Sequence, residues 1–292
     1  MFLEEVFIPL FILLSYNFLR KEIITMNENK TNPFKIVKDK IVSTIKWLFD
    51  INDWKILLRS IPGLVTALFI VSVVVMNLLA AKVIVQTKYV GITGGLLISW
   101  IPFLTMDIVV KSYGVKAANK LNILGLLINL AFVGLFQLVS SIQVGGEDGA
   151  YASFDATFSQ TWQIFTASSI AFLVSGIINN ILNYSIGKLF KNNPDSKKAF
   201  ISRTYVSTMV GQFVDNFVFA SLAFLVFFKL SIGTTCGYTL LSVFGTAIFG
   251  ALLELVMEMI FSPMGYNVSR KWERDNVAMV YLTYRKMVNE GR

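Results

Sequence analysis

The chain has 292 residues, 55% of them hydrophobic and 15% charged, and a net charge of +8. That apolar share exceeds the roughly 45–50% of soluble domains and places the core in lipid. A single cysteine, Cys236, excludes an intrachain disulfide, and the absence of histidine removes the usual ligands and bases of zinc, haem and Ser-His-Asp chemistry.

Residues 1–61 read as an N-terminal cytoplasmic or interfacial region. Within it, 6–19, VFIPLFILLSYNFL, is an apolar run of 14 preceded by Glu4 and Glu5, short for a span and wrongly flanked for a signal peptide. Two readings of it stay open. Either Met26, which opens MNENKTNPF, is the initiator, or the run is an extra interfacial or spanning helix. From Pro33 to Leu48, apolar positions 34, 37, 41, 45 and 48 recur at helical spacing, with Lys35, Lys38 and Lys46 elsewhere on the turn. This is the pattern of a basic amphipathic helix on an inner leaflet.

Six apolar spans follow, at about 62–84, 89–110, 121–144, 159–184, 201–228 and 237–262. Each is long enough to cross a hydrocarbon layer about 30 Å thick, and each is expected to be helical because lipid satisfies no backbone hydrogen bond. The predicted fold is an all-α, six-transmembrane-helix bundle over 62–262 with a cytoplasmic tail over 263–292. Lys and Arg number 23 in one alternating set of gaps and 3 in the other, so the positive-inside rule puts both termini in the cytoplasm. The long outer loop, GGEDGAYASFDATFSQ, carries only acidic charge. The positive net charge thus reads as topology, with no direct nucleic-acid partner. Three spans, an acidic loop and three more make a faint repetition, with Asp107 and Asp215 each in a middle span, too little to establish an inverted repeat.

A charge at the bilayer centre costs roughly 2.5–3.5 kcal/mol on insertion scales, so intramembrane ionisable groups are functional candidates. In the fifth span, RTYVSTMVGQFVDNFVF, Arg203, Ser207, Gly211 and Asp215 are four apart and form one polar stripe beside Gln212 and Asn216. The stripe lines a ligand cavity or serves helix packing. Glu254 and Glu258 share a face of the sixth span; they form a proton or cation site, or a cytoplasmic-end pair neutralised by Arg203 or Lys111. Pro102 can break the second span one turn before Asp107, which either lines the resulting cavity or caps an interface beside Lys111. Asn77 suits interhelical bonding, whereas Asn179, Asn180 and Asn183 exceed what packing needs. Phe213 or Phe219 is placed to stack on a planar ligand.

These residues resemble the queuosine precursor transporters of the vitamin-uptake transporter group. The matching features are Asn77; Gly94-Gly95; Pro102, Thr105, Asp107, Tyr113, Gly114 and Lys116 in IPFLTMDIVVKSYGVKAANK; the span TASSIAFLVSGIINNILNYSIGKLF; Arg203, Ser207, Gly211, Gln212 and Asp215; and Ser262-Pro263-Met264-Gly265-Tyr266. The likeness covers about 70–275. One departure is ALLELVMEMIFSP, where Glu254 and Glu258 stand in a region that often carries a lysine. The resemblance implies a multi-pass importer of deazaguanine-type bases in the cytoplasmic membrane, not an enzyme, needing no cofactor and no ATP hydrolysis of its own. Its partners are a planar base and the lipid membrane, with a homodimer as a weaker expectation. A guanine-like base offers two adjacent N–H donors that a carboxylate accepts together. The substrate-binding residues expected are Asp215 first, Glu254 second, Gln212 or Asn180 for the ring carbonyl, and Phe219 on the face, with Arg203, Asp107 and Asn77 around them. A secondary transporter, proton-coupled through Asp215 or the glutamates, is the leading function. A substrate-binding membrane subunit working with an ATPase module is the alternative.

Overall fold

The computed structural model describes residues 46–80, 82–142, 149–159, 162–190, 193, 195–235 and 237–290. The expectations for 6–19, Met26, most of the 33–48 helix and Cys236 lie outside the described residues. The chain divides at Ile51/Asn52 into two compact units. Of the first, only a short helical turn and its exit are described. The second is a helical assembly with one small hairpin.

Helix α1 (Ile51–Ser60) buries Asp53 and Leu57. Pro62, which has no N–H to continue a helix, follows it, and α2 (Gly63–Ala80) begins immediately after. The chain then departs from the expected single helix over 89–110. Strands β1 (Val83–Gln86) and β2 (Gly91–Thr93) pair antiparallel, a 3-10 turn covers Gly94–Leu97, and only Trp100–Tyr113 is helical (α3). The reason is local. Val83, Ile84 and Val85 favour a strand, and the Thr87 hydroxyl accepts the Val90 amide at 3.0 Å to close the turn. The two glycines let the 3-10 turn abut α2. A Cβ on Gly95 would lie 2.6 Å from the Met76 carbonyl oxygen, and one on Gly94 would lie 2.9 Å from that of Leu79. Pro102 consequently sits in the first turn of α3, where a missing N–H costs nothing. It starts that helix and does not kink a longer one.

Next come α4 (Val115–Ser140), α5 (Ala152–Ser159) and α6 (Trp162–Gly187). Helix α7 (Lys197–Ala220) continues through a π-helical stretch, Ser221–Phe228, into the short α8 (Lys229–Ile232). Helix α9 (Leu240–Arg274) opens with a capping box between Thr239 and Ser242 and runs through Pro263 well past residue 262. Pro263 removes the amide that would bond the Met259 carbonyl, and the Ser262 hydroxyl donates to that oxygen at 3.5 Å. Helix α10 (Met279–Asn289) closes the described chain.

Five of these helices are long and apolar enough to cross a membrane: α2, α4, α6, α7 with its π-helical extension, and α9. The chain is therefore a multi-pass membrane protein. Leu127, Leu130, Leu135 and Leu138 on α4, and Ile248, Leu252, Val256 and Ile260 on α9, are exposed on the lipid-facing side. Helix α7 packs between α6 and α9, so its polar stripe is inside the bundle.

Candidate functional site

The interior of the bundle is crossed by polar side chains in pairs. From α6, Ser175 donates to Asp215 Oδ1 at 2.7 Å, Asn179 to Asp107 Oδ1 at 2.9 Å and Asn183 to the Ser207 hydroxyl at 3.4 Å. Ser168, on the same helix, donates to Asn77 Oδ1. Ser99, held by the turn before α3, donates to Glu254 Oε1 at 2.7 Å. Gly211 permits the close α6–α7 approach, since a Cβ there would meet Asn179 and the Phe103 ring, each at 3.0 Å. The stripe on α7 thus faces a second polar stripe on α6.

Where these pairs converge, one cavity is lined by Ser99, Ser168, Asp215, Asn216, Phe219 and Glu254, among others. It holds about 20 Å³, room for a single water. A second cavity, about 10 Å³, shares Asn216 and Phe219 with the first and reaches Gly91 in the hairpin and Tyr238. The hairpin is tied there by the Gly91 amide, which donates to Thr246 Oγ1 at 2.9 Å. The arrangement is closed around its carboxyl groups. A two-ring base enters only if helices or side chains separate.

The candidate residues distribute as follows. Asp215, Glu254 and Phe219 share the cavity wall, and Asn77 stands behind it through Ser168. Gln212 is fully buried, and among the described residues neither its amide oxygen nor its nitrogen has a hydrogen-bond partner. Asn180 turns to the other side of α6 and donates to Asn119 Oδ1 at 2.8 Å. Asp107 and Arg203 form a separate group toward the α3–α4 turn, where Thr204 and Asn183 also face Asp107 and the Arg203 charge acts on it. Arg203 lies over the Phe200 ring at 5.6 Å, with Nε and Nη2 unbonded among the described residues. Phe213 stacks beside Phe217 instead of reaching the cavity.

Lys111 pairs with Asp195 at 3.2 Å and Glu273 at 3.7 Å, and its ion pairs among the described residues include neither Asp107 nor the two glutamates. Glu258 is fully buried, and among the described residues both its carboxyl oxygens lack a hydrogen-bond partner. Ser99, Ser168 and Ser175 are not singled out by the sequence. The two on α6 extend a run already marked there, since Ser168, Ser175, Asn179 and Asn183 recur four apart or seven apart. Ser99 reaches the site only through the glycine turn.

A family model described as "Putative vitamin uptake transporter" matches residues 93–268, from the end of the hairpin through Pro263. The chain belongs to this vitamin uptake transporter family. Every cavity-lining and stripe residue on α3, α6, α7 and α9 falls inside the matched region, whereas Asn77 precedes it. No curated protein and no solved structure matches the chain. Family membership marks the protein as a vitamin-type uptake transporter.

Proposed function

We propose that this family member imports a deazaguanine-type base, a queuosine precursor, across the cytoplasmic membrane as a secondary transporter. The observation that carries the reading is the convergence of Asp215 and Glu254 on one cavity beside Phe219. Each carboxyl group uses one oxygen to accept a serine hydroxyl. A carboxylate there can accept the two adjacent N–H groups of a guanine-like pairing edge, and the second suits a cationic substituent on the base. Gln212 is the amide for the ring carbonyl, because its nitrogen is uncommitted while that of Asn180 is held by Asn119. Phe219 supplies the stacking face.

Orientation follows from charge. With the short α3 counted as a span, the chain crosses six times and both termini are cytoplasmic, on the side where 23 of the 26 Lys and Arg residues lie. Asp107, Glu254 and Glu258 are buried in the bundle and Asp215 is half-buried, and among the described residues Arg203 is the buried arginine beside them. Such an excess of carboxyl groups in a low dielectric supports proton coupling, since ionising all of them together is too costly.

The test is uptake of labelled deazaguanine base into cells or vesicles carrying this protein alone. Uptake that stops when the proton gradient is collapsed supports the reading. Uptake that appears only with a co-expressed ATPase module replaces it with a substrate-binding subunit. Absence of uptake of any such base under both conditions rejects the substrate class.

A further inference from the structure

At the end of the bundle away from the hairpin, a cavity of about 460 Å³ opens between the α3–α4 turn, α6 and α10. Its wall includes Gly114, Lys116, Tyr184, Tyr281 and Arg285 and, among the described residues, contains no carboxylate. Asp53, fully buried, is held by Lys120 at 2.6 Å and by the wall residue Arg285 at 3.3 Å. The Lys116 charge acts on the same Asp53. Lys116 and Arg285 thus stand together on the wall of an open space. Lys188 adds a further cation, 4.2 Å from the centre of the Tyr184 ring.

The backbone adds to this field. Gly114, at φ 84°, precedes α4 without a side-chain cap, so the first amides of a 26-residue helix stand at the cavity wall. By contrast, in the neighbouring cavity of about 390 Å³ the lysine, Lys111, is paired with the wall carboxylates Asp195 and Glu273. Ile181 and Leu282, both exposed, line the cationic cavity as well. The space thus joins a cationic base to an apolar flank.

We propose that this cavity binds a phosphate group, carried either by an anionic phospholipid headgroup whose chains lie along Ile181 and Leu282, or by free phosphate. The wall cations Lys116 and Arg285 and the helix-end amides recognise the anion, and the apolar flank recognises a lipid. The site is separate from the Asp215–Glu254 cavity, so its existence does not depend on the identity of the transported base.

The experiment titrates full-length protein in detergent with phosphatidylglycerol, phosphatidylcholine or inorganic phosphate, reading bound species by native mass spectrometry and the unfolding midpoint. Phosphatidylglycerol is expected to bind and raise the midpoint, with Lys116→Gln weakening binding about fivefold, the worth of one basic residue at an anionic surface, and Lys116→Arg restoring it. A matching response to inorganic phosphate assigns the site to free phosphate; a response to phosphatidylglycerol alone assigns it to lipid. Arg285→Lys keeps a cation on Asp53 and gives a second reading should Lys116→Gln fold poorly; it too is expected to weaken binding. Equal responses to the two lipids with none to phosphate, or undiminished binding in both variants, would overturn the proposal.

Discussion

Asp215 on α7 and Glu254 on α9 line one small cavity, each accepting a serine hydroxyl at 2.7 Å through one oxygen, from Ser175 and Ser99 respectively. Each retains a second oxygen for a ligand. Replacing Asp215 with Asn keeps the shape and the Ser175 contact but turns one acceptor into a donor. Charge-assisted hydrogen bonds contribute about 1.5–3 kcal/mol, so initial uptake per inserted transporter is expected to fall roughly tenfold to a hundredfold. Glu254→Gln should fall similarly, and serine-to-alanine changes at 99 and 175 less.

A second prediction concerns the Asp53–Lys120 pair, both side chains fully buried at 2.6 Å. Tyr281 adds a hydroxyl 3.4 Å from the same carboxylate; burial and the adjacent Asp53 push that hydroxyl above its ordinary range, so it remains the donor. Removing Lys120 takes the closer cation from a buried carboxylate that Arg285 holds at 3.3 Å. Lys120→Met is expected to destabilise the protein by about 3–5 kcal/mol, seen as a lower unfolding midpoint in detergent. Adding Asp53→Asn should recover part of that loss; a further drop in the double variant would show that the two residues do not act as a pair.

Gly95 gives a packing prediction. Its missing Cβ lets the 3-10 turn touch the Met76 carbonyl, and the same turn places Ser99 on Glu254. Gly95→Ala should cost about 1–3 kcal/mol by overpacking and also reduce uptake, because Ser99 is displaced. Gly134→Ala, where a Cβ meets nothing within 4 Å, is the matched control and should change neither.

The Asp195 carboxyl gives a pH prediction. Partial burial pushes it upward, but hydrogen bonds with Glu273 and Lys111 and the charges of Lys111 and Arg270 bring it below its ordinary value of 3.8. A carboxyl lowered in the folded state contributes stability that is present above the unfolded value and lost as pH falls through the folded one. The unfolding midpoint should therefore drop on acidification below about pH 4 more steeply in the parent protein than in Asp195→Asn. Parallel acid limbs would show that the Lys111 contact contributes nothing measurable.

The polar stripe of α7 was legible in the sequence because helical spacing alone places Arg203, Ser207, Gly211 and Asp215 on one face. Its partner was half legible. Asn179 and Asn183 stood out as amides, but Ser168 and Ser175 are common helix-packing residues in membranes and carry no signal until something faces them. The broken second span was hidden because hydropathy measures length and apolarity, and β1, β2 and the 3-10 turn are as apolar as a helix. The glycines and β-branched residues held the information. Lys120 looked like a loop cation contributing to orientation, and its burial on Asp53 depends on α1 and α10, which no local pattern brings together.

The most direct test is the queuosine content of tRNA in cells that cannot make the precursor, fed limiting deazaguanine base and expressing either this protein or its Asp215→Asn variant at equal membrane levels. Restored modification is expected with the parent and little with the variant. Restoration by both would contradict the role of Asp215, and restoration by neither, with the parent shown in the membrane, would contradict the proposed substrate.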